Sequence, residues 1–225
     1  MVDAGVDAGA AGHGYRRPAE GRWDATVEIK RSRFLALVGR AGDEEAARAF
    51  IAQARADHPD ARHHCSTYVL HVAGANPVER SSDDGEPSGT AGQPMLEVLR
   101  GSGLEDVVVV VVRWFGGIKL GTGGLVRAYQ DATHAVLEEV SVVRRTRTVL
   151  WELTVSHADA GRLEAELRSR GLSVAASYGA AVTLTLSLAP ADDPSGTVAA
   201  LSGGTVAVRR VGEQWTDVPV GDTAR

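Results

Sequence analysis

Two segments of this sequence concentrate residue types that bind ions or transfer protons. The first is SSDDGEPSGTAGQP, residues 81–94, called here the acidic loop, in which three carboxylates fall within four residues. Clustered carboxylates bind hard cations or act as acids and bases, and they equally accept hydrogen bonds from the backbone amides of turns. The spacing does not match a calcium loop. Structural capping, partner binding and a metal or catalytic role are therefore all open. The candidate partner- or cation-binding residues are Asp83, Asp84, Glu86, Ser88 and Thr90.

The second segment is RWFGGIKLGTGGLVRAY, residues 113–129, called here the glycine-rich stretch. It carries five glycines, two arginines and one lysine between a run of valines and a helical pattern. A strand, a glycine turn and a helix in this order direct backbone N–H groups and the positive end of the helix at an anion. The candidate nucleic-acid- or phosphate-binding residues are Arg113, Gly116, Gly117, Lys119, Thr122, Gly123, Gly124 and Arg127.

The glycine spacing does not identify the anion. A Walker loop requires Gly-Lys-Ser/Thr, and the dinucleotide motif requires G-x-G-x-x-G; the sequence GTGG at 121–124 fits neither. Glycines also permit tight turns and close backbone packing. Spacing alone favours anion binding and a structural turn equally. Lys30 and Lys119 are the only lysines among 24 basic residues, which slightly favours a specific role for Lys119.

Other reactive residues form weaker patterns. His63 and His64 precede Cys65, but adjacent strand residues point to opposite faces, so no metal site is expected. Cys65 is the only cysteine, so it has no disulfide partner within the chain. Phe115 and its neighbour Trp114 can stack on bases, although aromatics that end a buried strand more often belong to the core. We expect no cofactor and no catalytic residue set.

Composition bounds the function classes. The chain has 225 residues, a formal net charge of −5 and 44% hydrophobic residues, which indicates a folded protein that is not globally basic. Nucleic-acid binding therefore requires a local basic patch. No apolar run approaches the roughly 20 residues of a membrane helix, and the N-terminus does not resemble a signal peptide. We expect a cytoplasmic protein that does not bind membranes.

The periodicity predicts an α+β fold with two domains. Residues 1–19 are rich in Ala, Gly and Asp, which predicts a disordered tail. Residues 20–143 predict a β-β-α-β domain with packing helices, in which a strand of six valines is buried on both faces. Residues 74–95 predict a long functional loop followed by a short helix. Residues 146–218 follow the order β-α-β-β-α-β, which is the ferredoxin-like plan.

Four segments together resemble the signature of the Impact/YigZ family. They are EIKRSRFLA at 28–36, HPDARHHCSTYVL at 58–70, DDGEPSGTAGQPMLEVL and VVRWFGGIKLGTGGLVRAY. The resemblance implies an N-terminal fold similar to the second domain of a small-subunit ribosomal protein and a C-terminal domain similar to one of elongation factor G. It also implies a connection with translation, because eukaryotic Impact proteins regulate translation through partner proteins. That mechanism uses a further N-terminal domain outside the resemblance, so we do not expect the partner mechanism to transfer.

Three functional interpretations follow. The first is a non-enzymatic, translation-associated regulator that binds RNA or a ribosomal or translation partner through the glycine-rich stretch and the acidic loop. The second is an enzyme acting on a phosphorylated small molecule or nucleotide, with an acidic-loop carboxylate as base or magnesium ligand. The third is a protein-interaction scaffold whose glycines serve folding alone. The sequence does not determine the oligomeric state.

Overall fold

The computed structural model describes residues 14–220. The chain divides into two compact units, whose main parts are Tyr15–Arg144 and Arg145–Asp217. Each unit has its own hydrophobic core. Of the predicted tail, residues 1–13 lie outside the described residues. Its last part is not a tail, because strand β1 (Tyr15–Pro18) forms there.

The first unit contains a five-stranded antiparallel sheet in the order β2-β3-β6-β4-β5. The strands are β2 (Arg22–Ile29), β3 (Ser32–Arg40), β4 (His63–Leu70), β5 (Val78–Ser82) and β6 (Val107–Trp114). The helices are α1 (Glu44–Asp57), α2 (Gly92–Ser102) and α3 (Thr122–Glu138). The α+β class is confirmed, and the domain begins with the predicted two strands followed by a helix.

The six valines of β6 explain the double-sided core. All six are fully buried, and neighbouring valines belong to different clusters because strand side chains alternate between faces. Val109 and Val111 pack with Met95 of α2 and Tyr129 of α3. Val110 lies in the cluster on the other face, with Ala54 of α1. Helices therefore cover both faces of the sheet.

The predicted long loop at 74–95 is wrong in its extent. Strand β5 occupies Val78–Ser82 and pairs with β4, with Val78 opposite Leu70 and Ser82 opposite Ser66. An edge strand tolerates the polar sequence VERSS because only one side of it is hydrogen-bonded to the sheet. The remaining acidic loop is short and runs directly into α2.

The second unit follows the predicted β-α-β-β-α-β order. Strands β9 and β7 pair antiparallel, β8 pairs with β9, and β10 pairs with β7. Its core includes Leu163 and Leu167 of α4 with Leu184 and Leu186 of β9. The elements are β7 (Val142–Val155), α4 (His157–Ser169), β8 (Ser173–Tyr178), β9 (Val182–Leu188), α5 (Ser195–Ser202) and β10 (Val208–Pro219).

Across the described residues, no helix combines the length and apolar character needed to cross a membrane. The same part of the chain contains no group of three His, Cys, Asp or Glu residues that could hold a metal ion.

Candidate functional site

The acidic loop and the glycine-rich stretch meet at a surface pocket of about 390 Å³. The register of the sheet assembles its floor, because His63 of β4 lies opposite Arg113 of β6. The glycine-rich stretch follows β6 directly and forms one wall. The polar lining residues are Arg62, His63, Glu86, Arg113, Lys119 and Thr122, and the apolar ones include Phe115, Leu120 and Leu125.

The pocket is locally basic although the chain is acidic. Arg62, Arg113 and Lys119 supply three cations, whereas Glu86 is the only carboxylate in the lining. Arg62 and Lys119 are exposed, and neither makes an ion pair within the described residues. Such a concentration of positive charge raises the local concentration of anionic ligands.

A buried polar network lies behind the pocket. The Arg113 Nη1–H donates to Glu86 Oε1 at 2.5 Å, and the Tyr129 hydroxyl donates to the same oxygen at 2.8 Å. The Cys65 thiol donates to the Tyr129 oxygen at 3.3 Å. Arg113 and Glu86 are only 6% and 9% exposed. This arrangement fixes Glu86 in place and neutralises part of the Arg113 charge.

Arg113 retains hydrogen-bonding capacity that the described residues do not use. Its Nε atom is buried and has no hydrogen-bond partner in that part of the chain. A buried cationic N–H without an acceptor is costly, so a ligand that supplies an oxygen gains affinity. Because Arg113 lines the pocket, an anion bound there lies next to a guanidinium that is not fully hydrogen-bonded within the described residues.

The N-terminus of α3 also opens into this pocket. Gly121 is the N-cap residue with φ of +74°, a left-handed value that favours glycine, and no side chain caps the helix. The first helical hydrogen bond is donated by Leu125 to the Gly121 carbonyl at 2.9 Å. The preceding N–H groups, from Thr122 to Gly124, have no intrahelical acceptor. Thr122 is the first helical residue, and its hydroxyl does not cap α3.

Two carboxylates of the acidic loop have structural roles. Asp83 accepts from the backbone N–H groups of Gly89, Ala91 and Gly92 at 2.8–3.0 Å, which caps α2 from outside the helix. Asp84 accepts from Arg55 at 2.5 Å and from the His64 N–H at 2.6 Å. These contacts favour capping over catalysis for both residues. Glu86 alone among the loop carboxylates lines the pocket.

Three groups in this region have clearly shifted pKa values: Asp84, Cys65 and Tyr129, of which the Tyr129 hydroxyl has its pKa raised chiefly by burial. Burial raises the pKa of Asp84, but hydrogen bonds from Arg55 and from the His64 backbone outweigh it, so the net pKa lies below the ordinary value. Burial is also the main cause that raises the pKa of the Cys65 thiol to about 12. A thiol with that pKa is not a nucleophile at neutral pH.

The remaining predicted residues do not all converge. Arg113, Lys119, Thr122 and Glu86 line the pocket, whereas the other candidates do not. Gly116 is the clearest correction: its N–H donates to Ser32 Oγ at 3.2 Å, so that amide does not serve a phosphate. The residues outside the lining are Gly116, Gly117, Gly123, Gly124, Arg127, Asp83, Asp84, Ser88 and Thr90. Thr90 Oγ1 donates to the Pro87 carbonyl at 2.6 Å, and Ser88 is exposed.

Comparison with known proteins adds the family. The Impact N-terminal domain model matches residues 30–137, and a domain of unknown function, DUF1949, matches residues 153–193. The IMPACT family member YigZ of Escherichia coli K12 is 42% identical over 162 residues, which cover 72% of this chain and 79% of YigZ. The chain belongs to the IMPACT family. The resemblance found in the sequence is thus confirmed.

Two further comparisons concern the fold and the extent of the match. A solved structure described as a hypothetical protein aligns with a TM-score of 0.59 and 37% identity, covering 88% of this chain and 98% of that chain. The Saccharomyces cerevisiae protein IMPACT homolog is 33% identical over 125 residues, which cover 53% of this chain and 47% of that protein. This chain therefore matches less than half of the yeast protein.

The family match contains both halves of the pocket. Every lining residue, from Arg62 to Leu125, lies inside the Impact-type segment 30–137. Sequence reasoning did not select Arg62 and His63 for this site, because they lie some fifty residues before the glycine-rich stretch. The pairing of β4 with β6 brings them there. Within the sequence, their only signal was the family-like segment HPDARHHCSTYVL.

Proposed function

We propose that this protein is a non-enzymatic, translation-associated regulator that binds RNA at the pocket between the acidic loop and the glycine-rich stretch. The observation that carries the proposal is the convergence of Arg62, Lys119 and the incompletely satisfied Arg113 at the uncapped start of α3. Phosphate oxygens match both cationic side chains and the free N–H groups of a helix start.

A base-stacking surface adjoins the phosphate-binding groups. Phe115 lines the pocket and is 51% exposed, which is unusual for a large apolar side chain. Its ring centroid lies 5.7 Å from the Arg113 guanidinium carbon. Basic groups combined with exposed aromatic rings are typical of surfaces that bind single-stranded nucleic acids. This combination favours single-stranded RNA over an isolated phosphate ion.

Family membership supports the connection with translation. The sequence resembles proteins whose eukaryotic members regulate translation, and the yeast protein IMPACT homolog is a relative. RNA is the most abundant ligand of the translation apparatus that presents phosphates and unpaired bases together. The proposal places this RNA-binding activity in the Impact-type unit.

A salt titration tests the proposal. We would measure binding of a fluorescein-labelled eight-nucleotide oligouridylate by anisotropy at 50–200 mM salt for the wild type and for an Arg62→Gln/Lys119→Gln variant. Both residues are exposed, so the fold should be retained. If each contacts one phosphate, the variant's logarithmic salt slope is expected to be smaller by about 1.4.

The control removes two cations elsewhere. The Arg48→Gln/Arg80→Gln variant makes the same change in net charge at exposed positions outside the pocket, and it is expected to bind like the wild type. Equal affinity and equal salt slope of all three proteins would refute binding at the pocket. Equal weakening by both variants would show only a general charge effect.

The pocket volume favours one other candidate. A volume of about 390 Å³ lies within the range of small-molecule sites, and buried Glu86 could orient a phosphorylated metabolite. Such an enzyme or sensor should be stabilised thermally by its ligand. A melting-temperature screen of nucleotides and sugar phosphates, with Arg62→Gln/Lys119→Gln as control, distinguishes this alternative from RNA binding.

A further inference from the structure

The turn between β2 and β3 has an unusual backbone for its residues. Ile29 pairs with Ser32, so Lys30 and Arg31 form a two-residue turn. Their φ angles are +48° and +66°, both in the left-handed region. Two-residue turns of this kind favour Asn-Gly, because long side chains are disfavoured at positive φ. Folding alone therefore does not account for Lys-Arg at these two positions.

The same hairpin presents unneutralised charge. Lys30, Arg31 and Arg33 are exposed, and none of them forms an ion pair with another described residue. The Arg33 guanidinium carbon lies 3.8 Å from the centre of a Trp114 ring, which holds this side chain against the end of β6. Three cations thus lie on four consecutive residues, and the carboxylate of Glu28, which lies opposite Arg33 in the hairpin, forms no ion pair with them within the described residues.

The hairpin turn is in direct contact with the glycine-rich stretch. A Cβ atom added to Gly116 would lie 1.9 Å from the Arg31 carbonyl oxygen, so glycine is required for the two segments to approach this closely. The Gly116 N–H also donates to Ser32 Oγ at 3.2 Å. Phe115 precedes Gly116 directly and lines the pocket. The turn therefore contacts the residue that follows Phe115, and Phe115 itself lines the pocket.

We propose that Lys30 and Arg31 form a second phosphate-binding subsite, which holds the backbone of a single-stranded RNA that extends out of the pocket past Phe115. This inference rests on the proposed function and adds the length and path of the ligand. The subsite explains why Lys30 and Arg31 occupy a left-handed backbone conformation that disfavours long side chains. It also explains why Gly116 allows the turn to contact the glycine-rich stretch closely. Strained backbone of this kind is typical of functional sites.

The test uses a variant that removes the charges and improves the turn. Lys30→Asn/Arg31→Gly supplies the residues that the backbone prefers, so its melting temperature should equal or exceed that of the wild type. Binding would be measured for a labelled uridine dinucleotide, which is short enough for the pocket alone, and for the eight-nucleotide oligouridylate.

The subsite predicts a length-dependent loss. The variant should bind the dinucleotide like the wild type and the octanucleotide more weakly. Because two phosphate contacts are lost, raising the salt from 50 to 200 mM should weaken octanucleotide binding by the variant about sevenfold less than binding by the wild type. Octanucleotide binding equal to the wild type at every salt concentration would overturn the subsite while leaving pocket binding intact.

Two further outcomes distinguish failure of the hairpin subsite from failure of the proposed RNA-binding function. If the wild type binds neither oligonucleotide, the proposed RNA-binding function fails, and the subsite fails with it. If the variant loses binding to an eight-residue polyglutamate peptide as strongly as to the octanucleotide, the hairpin recognises acidic protein surfaces, and the RNA subsite is wrong. The Arg48→Gln/Arg80→Gln variant again controls for net charge.

Discussion

At the residue scale, the molecule depends on one buried ion pair next to its pocket. The Glu86 side chain is 3% exposed and that of Arg113 is 7% exposed, so both charges are almost fully removed from water. Tyr129 donates a second hydrogen bond to the same carboxylate oxygen. The desolvation of two charges is offset only while both partners remain, because a lone buried charge has no compensating attraction.

Removing the carboxylate should therefore destabilise the first unit strongly. We expect Glu86→Ala to lower the free energy of unfolding by about 3–5 kcal/mol, because it leaves the Arg113 charge buried and unpaired. The Glu86→Met/Arg113→Met double variant should cost less than the sum of the two single changes. Urea denaturation of the variants measures both quantities. Glu97→Ala, at an exposed position of α2, is the matched control.

A small effect of Glu86→Ala on stability would contradict this account of the Glu86–Arg113 ion pair. A Glu86→Ala loss below about 1 kcal/mol would mean that Arg113 finds water or another acceptor readily, as exposed ion pairs do. The missing hydrogen-bond partner of Arg113 Nε would then not be evidence for a bound ligand.

At the element scale, Asp84 ties the acidic loop to two neighbouring elements. Arg55 belongs to α1 and His64 to β4, and both hydrogen-bond to the Asp84 carboxylate. Asp84 itself has φ of +44°, which Asn and Asp tolerate better than most residues. The loop position therefore depends on the ionised state of one side chain.

This dependence predicts acid sensitivity. The pKa of Asp84 is lowered in the folded protein, so its stabilisation is fully present above the unfolded pKa and is lost as the pH falls through the folded value. The difference in unfolding free energy between the wild type and Asp84→Asn should be constant above about pH 5 and shrink below about pH 4. Urea titrations from pH 7 to pH 3 measure it.

The Asn side chain suits the left-handed backbone, so the comparison isolates charge. Asp24→Asn, on exposed β2, controls for the change in net charge. A wild-type-minus-variant difference that stays flat down to pH 3 would contradict the role of the Arg55 and His64 contacts.

Local patterns predicted some elements and missed others for physical reasons. The valine strand is a continuous apolar run, and α3 has apolar residues at helical spacing. Both patterns arise because burial in the core selects apolar side chains at these positions. Strand β1 has the polar sequence YRRP, and Asp106 holds it by accepting from Tyr15 and Arg17. That contact spans about ninety residues, so no local pattern predicts β1.

The candidate site shows the same division. The glycine-rich stretch and Glu86 were selected from the sequence because their residue types suit ion binding. Arg62 and the Glu86–Arg113 pair depend on sheet register and on a contact between distant segments. Conversely, Asp83 and Asp84 looked like ligands but accept backbone hydrogen bonds, a role that carboxylate spacing alone does not distinguish.

At the scale of the whole molecule, two separate cores predict separable unfolding. Leu184 is fully buried in the core of the second unit, and that core contains no residue of the first. We expect Leu184→Ala to cost about 2–5 kcal/mol in the second unit alone. Hydrogen exchange followed by mass spectrometry should show faster exchange in β8 and β9 and unchanged protection in β3 and β6.

Val38→Ala, in the core of the first unit, is the reciprocal variant and should reverse the pattern. Equal acceleration of exchange in both units by either variant would show that the chain unfolds as one cooperative body.

The six valines of β6 contribute to the core and also create a risk of aggregation. In an unfolded chain, a run of six β-branched apolar residues without proline or charge is the type of segment that stacks into intermolecular sheets. Asp106 and Arg113 flank the run on both sides, which places one negative and one positive charge where an aggregating strand would have to extend. Arg113, which lines the pocket, therefore also opposes intermolecular pairing of this strand before folding is complete.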